Sequence, residues 1–145
     1  MTQDPLDLIR EDDVVDLTRR LVRIPSQYIE HELVQHQEIA DVLAKELTAS
    51  GLDVEISEPI ADYPVVIGTT PGGGEGPTVG VIGHYSTVAI GDPNEWSHDP
   101  LGAELIDGRI YGRGSLDQKG AIASVILAAR AVLASPGARG RHRRW

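Results

Sequence analysis

Val79-Gly80-Val81-Ile82-Gly83 is an uncharged, largely β-branched run, and it stops on His84. This pattern predicts a strand over Thr78 to Gly83, buried on both faces. Such a strand belongs to the interior of a layered fold, so its neighbours in sequence decide the class. Upstream, Val65 to Thr70 and Val54 to Glu58 read as two further strands. The loop Pro71-Gly72-Gly73-Gly74-Glu75-Gly76-Pro77 separates them from the first run. Before these lies a helix over Glu32 to Ser50, with Val34, Ile39, Val42, Leu43 and Leu47 at helical spacing and Gly51 as its stop. A first helix covers Glu11 to Val22, with Asp12 and Asp13 favouring its N-terminus and Pro25 barring its continuation. Downstream, Glu104 to Ile106 and Arg109 to Tyr111 flank Asp107-Gly108, a hairpin signal. Lys119 to Leu133 reads as an apolar helix. Helices and strands in this order predict an α/β layer fold. No internal repeat is present.

Composition narrows the function. The 145 residues suit one domain, and 41% apolar with 24% charged residues is a globular balance. Acidic residues outnumber basic ones 22 to 13, a net charge of −9. That surplus argues against a nucleic-acid partner and against an anionic membrane. Cysteine is absent, which excludes disulfides, thiolate zinc sites and cysteine nucleophiles. Any metal must therefore be held by His, Asp or Glu. Phenylalanine is absent too, so the core must be aliphatic. Met1 to Asp13 lacks the basic-then-apolar pattern of a signal peptide. The longest apolar stretch, Ala121 to Ala134, is too short to span a bilayer. The expectation is a cytoplasmic protein.

Charge also divides the chain. Residues 1–135 hold nine basic and 22 acidic residues, a net of −13, while Arg139, Arg141, Arg143 and Arg144 crowd the last seven positions. The expected division is thus 1–135 as the domain and 136–145 as a basic, disordered or aberrant tail. Either the tail works as a basic segment, or it is a frameshifted or truncated end. Its onset at the end of a helix favours the second reading.

Two positions are candidates for chemistry. His84 follows the buried-looking strand, where α/β folds open into their ligand crevice. Asp117 lies between Gly112-Arg113-Gly114-Ser115 and the last helix. Imidazole and carboxylate are ligand types that suit a zinc-like ion. Each has a plainer alternative: a structural hydrogen-bonding histidine, and an aspartate N-cap. Weaker candidates are Arg113, placed as in an anion-binding turn, and Trp96 with His98, whose expected role is packing in a surface loop. His31 and His36 read as solvated on a polar helix face. The Gly-rich loop lacks the Lys and Ser/Thr of a phosphate loop, and Ser86 lacks the setting of a nucleophile.

Three stretches carry a resemblance. They are Gly83-His84-Tyr85-Ser86-Thr87-Val88, Trp96-Ser97-His98-Asp99-Pro100-Leu101, and Asp107-Gly108-Arg109-Ile110-Tyr111-Gly112-Arg113-Gly114-Ser115-Leu116-Asp117-Gln118-Lys119-Gly120. Together they resemble the acetylornithine deacetylase, succinyl-diaminopimelate desuccinylase and glutamate carboxypeptidase family of zinc aminoacylases and exopeptidases. Leu21-Val22-Arg23-Ile24-Pro25-Ser26 resembles the end of that family's first helix. The likeness runs from about residue 8 to about residue 134.

The resemblance implies the N-terminal part of an α/β/α zinc-peptidase-like catalytic domain, incomplete here, with a mixed sheet flanked by helices. It implies a two-zinc site, with cobalt or manganese as alternatives, in which His84 binds one ion and Asp117 bridges both. It implies a cis peptide bond at Asp117–Gln118. The implied reaction is attack of metal-activated water on the amide of an N-acyl amino acid or short peptide, with a Glu as general base. Two departures stand out. Ser86 occupies the position of the family's aspartate that orients the metal-binding imidazole, an outer-shell group worth roughly 10–100-fold in metal affinity or activity. No Glu follows Glu104, so the family's adjacent Glu-Glu pair is missing, as are its later ligands and its inserted dimerisation domain. The expectation is an isolated chain that is inactive, exposes apolar surface, and associates with a second copy or a complementing chain. A non-catalytic binding module and one half of a split enzyme are the alternatives.

Overall fold

Helix α1 (Glu11–Val22) follows from its charge order. Glu11, Asp12 and Asp13 sit in the first turn and Arg19 and Arg20 in the last, each sign opposite the helix pole it faces. The computed structural model describes residues 4–135 apart from 30–31, 34–35 and 71–76. The expected tail at 136–145, most of the Gly-rich loop, and His31 lie outside the described residues. After α1 the chain forms β1 (Gln27–Ile29) and β2 (Glu32–Leu33), then α2 (His36–Ala49). Two longer strands follow, β3 (Asp53–Ile60) and β4 (Tyr63–Thr69). The second half holds β5 (Thr87–Val88), β6 (Glu104–Ile106), β7 (Arg109–Tyr111) and α3 (Gly120–Ala134).

The expected α/β class holds, and its sheets are small. β2-β1-β5 is mixed, with β1 antiparallel to β2 and parallel to β5. β3-β4 and β6-β7 are antiparallel pairs. Asp107 and Gly108 both take positive φ, 49° and 75°, as the two-residue turn between β6 and β7 requires. α2 ends as expected at Gly51, φ 89°. There the Leu52 N–H reaches the Leu47 carbonyl and the Gly51 N–H reaches that of Thr48, so the last carbonyls of the helix are satisfied.

Two expectations fail. The predicted helix over Glu32 to Ser50 starts only at His36, because Glu32 and Leu33 pair with Ile29 and Tyr28 instead. The predicted strand at Thr78 to Gly83 has no regular secondary structure. Val79, Val81 and Ile82 are 84%, 66% and 96% exposed. The composition suits an interior strand, but a strand exists only where neighbours take its N–H and C=O groups. Among the described residues none does, and β4 pairs with β3 alone.

The core is aliphatic, as the missing phenylalanine requires. Leu17, Leu21 and Ile24 from α1 and its end meet Ile39 and Leu43 from α2 and Ala123, Ile126 and Leu127 from α3. Among the described residues one charged side chain is buried: Lys119 is 1% exposed and its Nζ donates to the Ile24 carbonyl at 2.6 Å. Burial pushes this amine down to about 8.

Candidate metal centre

The turn that presents Asp117 is built from the hairpin outward. Gly112 lies where a Cβ would strike Val22 Cγ1 at 2.6 Å, so only glycine lets the chain pass under α1. Arg113 donates its N–H to the Pro100 carbonyl and lays its guanidinium over the Trp96 ring, 4.9 Å from the centroid. Trp96 is itself fixed by its Nε1–H on the Ile90 carbonyl. The suggestion of an anion-binding turn at Arg113 therefore gives way to a stacked, packing arginine. Trp96 packs as expected. His98 does too, against Tyr111 and within 3.3 Å of Glu104 Oε2. Gly114 follows with φ 86°.

Residues Ser115–Lys119 form a wide π-type turn in which Asp117 and Gln118 leave helical geometry. The Asp117–Gln118 peptide bond is cis. α3 starts beyond it, with Lys119 as its N-cap and no side-chain capping bond. The aspartate N-cap alternative for Asp117 is thus not what the side chain does.

Its carboxylate meets His84 instead. Asp117 Oδ1 lies 3.1 Å from His84 Nε2, although the two are 33 positions apart. The other ring nitrogen, Nδ1, lies 3.0 Å from the Ser86 carbonyl oxygen. A carbonyl oxygen only accepts, so Nδ1 carries a hydrogen; Nε2 faces the carboxylate as a donor when it too is protonated and with a lone pair when it is not. Two acceptors at this distance repel unless a proton or a cation lies between them. The orienting contact to His84 thus comes from the Ser86 main chain. The side chains of His84 and Asp117 are open to solvent, 49% and 79% exposed.

The pair fits part of a metal site. Two donors on one tetrahedral zinc lie about 3.3 Å apart, given metal–ligand lengths of about 2.0–2.2 Å. Among the described residues no group of three His, Asp or Glu side chains gathers to hold a metal ion. Among the described residues His84 and Asp117 therefore form a pair that no third such side chain joins.

Residues that sequence reasoning left without a role support the pair. Ser26 Oγ donates to the Tyr85 carbonyl at 2.6 Å, and the Thr87 N–H donates to the Ser26 carbonyl at 2.8 Å. The end of α1 thereby grips the chain on the far side of His84. Lys119 anchors the opposite wall. Its signal in the sequence was a lone cation at the head of an apolar helix. A cleft of about 520 Å³ opens beside the pair, lined by His36, Tyr63, Val81, Ile82 and Ile122 among others. His36, expected on a solvated face, is instead 6% exposed and stands edge-on to Tyr85 and Tyr63.

Comparison with known proteins gives a family match and numerous similar curated proteins. Residues 80–141 match the model of peptidase family M20/M25/M40. A cysteinylglycine-S-conjugate dipeptidase of Corynebacterium striatum is 33% identical over 123 residues, covering 82% of this chain and 27% of the relative. The chain thus spans about a quarter of the length of that curated relative.

Proposed function

This chain belongs to peptidase family M20/M25/M40, and on that premise we propose that it is part of a metal-dependent hydrolase of amide bonds. The bond cleaved is that of an N-acyl amino acid or a short peptide, a class that a relative named as a dipeptidase supports. One observation carries the reading: the imidazole of His84 and the carboxylate of Asp117 converge to 3.1 Å with the ring's other nitrogen already satisfied.

In this reading His84, through Nε2, and Asp117, through its carboxylate, would hold a pair of zinc ions. The bound pair would lower the pKa of water and polarise the scissile carbonyl. The protein's own contribution is orientation. The Ser86 carbonyl keeps the hydrogen on Nδ1, so Nε2 is free to ligate without tautomer exchange. The turn at Ser115–Lys119, backed by Lys119 on Ile24, sets Asp117 against it. Two protein ligands fall short of the three usual for catalytic zinc. The remaining ligands and the general base must come from polypeptide other than the described residues, in the same or a separate chain. The described part by itself is inactive.

Zinc titration by calorimetry tests this. Micromolar or tighter binding that both His84→Ala and Asp117→Ala abolish is the expected result. Ser86→Asp, which supplies the family's carboxylate beside the ring, should tighten binding by roughly tenfold. Binding no tighter than about millimolar, unchanged in the two alanine variants, would overturn the metal reading in favour of a non-catalytic binding module.

A further inference from the structure

His84 sits in a stretch with no strand pairing, yet its ring is aimed. Its main chain has a second tether. Gln118, the residue after Asp117, turns its side-chain Oε1 back onto the His84 N–H at 3.3 Å. That approach depends on residue 83. A Cβ on Gly83 would stand 2.9 Å from Gln118 Oε1 and 3.2 Å from Ile122 Cγ1. Gly83 does not take a positive φ, so its requirement is for space and not for a left-handed backbone.

We infer that Gln118 is a positioning residue: with Gly83 it clamps the His84 main chain and so holds Nε2 at ligand distance from Asp117. The inference rests on the metal reading above. Its logic is geometric. The two ligands come from separate segments, one of them without a sheet to hold it. Ser26 moors that segment at the Tyr85 carbonyl, and Gln118 moors it at the His84 N–H. Gln118 is well placed for the task, because the buried Lys119 and the first turn of α3 follow it directly. Both ligand and clamp therefore spring from one rigid turn, and a shift of that turn moves them together.

A double-mutant cycle on zinc affinity separates the clamp from general packing. Gln118→Met keeps the length and removes the acceptor. Gly83→Ala leaves Gln118 intact and pushes its amide away. Each should weaken zinc binding to the full chain roughly three- to tenfold, the range for one lost hydrogen bond. The double variant should bind no more weakly than either single one. Gln118→Glu retains the acceptor and should bind at least as tightly as the parent. Losses that multiply in the double variant, or parental affinity in Gln118→Met, overturn the clamp while the metal reading stands. Absence of zinc binding in the parent overturns the metal reading, and the clamp with it. Should Gln118→Met fail to fold, Gly83→Ala against Gln118→Glu carries the test alone.

Discussion

His36 shows what a single position conceals and reveals. It stands three residues before Ile39, four before Ala40 and seven before Leu43, so it continues the stripe those residues bury. Its polar type hid it from a reading that sorts by hydrophobicity. Its burial comes from Tyr63 and Tyr85, partners that no local window contains. Among the described residues Nε2 has no hydrogen-bond partner. Burial holds the imidazole below its usual range; main-chain bonds at Gln27 and Ser26 offset this in part, and the Lys119 charge adds to it. The unfolded chain protonates this histidine below about pH 6.5, whereas the folded chain resists. Stability is therefore whole above that pH and is lost as pH falls through the window below it. The thermal midpoint should drop between pH 7 and pH 5, and His36→Phe should flatten the drop. An unchanged slope in that variant would assign the effect elsewhere. His84 and Asp117 were easier to find, because the motifs around them resemble those of a known hydrolase family.

Elements were legible where their signals are local. Asp107-Gly108 fixes a hairpin within eight residues, and Gly51 stops α2 where it should. Thr78 to Gly83 was misread because a buried strand is a statement about neighbours. The start of α3 offers a case where local propensity and packing point opposite ways. Gly120 has helical φ and ψ, so alanine there gains about 1 kcal/mol of helix propensity. Its Cβ, however, would stand 2.6 Å from the Ser115 carbonyl oxygen, a main-chain atom that cannot swing aside. Gly120→Ala should therefore lower the melting temperature and disturb the Asp117 turn. A raised melting temperature would show that the turn yields cheaply.

At the scale of the molecule, much apolar surface faces outward. Beside Val79, Val81 and Ile82 the cleft exposes Tyr63, Val65 and Val125. Contiguous apolar surface of this kind promotes association. The net −13 of residues 1–135 opposes it, so added salt should increase the apparent mass in sedimentation. Val79→Lys with Ile82→Lys should reduce both association and hydrophobic-dye binding. Stability should change by only about 0.5 kcal/mol, as at other exposed positions. A large loss of stability would show that these side chains hold the fold. No helix among the described residues is long and apolar enough to cross a membrane. The bond from Lys119 to Ile24 has a consequence in time. It joins positions 95 apart, and Arg19 reaches Ala103 across 84. At synthesis rates of about 5–20 residues per second, α1 waits roughly 5–20 s for the partner that completes its packing. During that wait its apolar face is open to whatever meets the nascent chain. The residues that complete the packing of α1 are also the ones that set Asp117 in place.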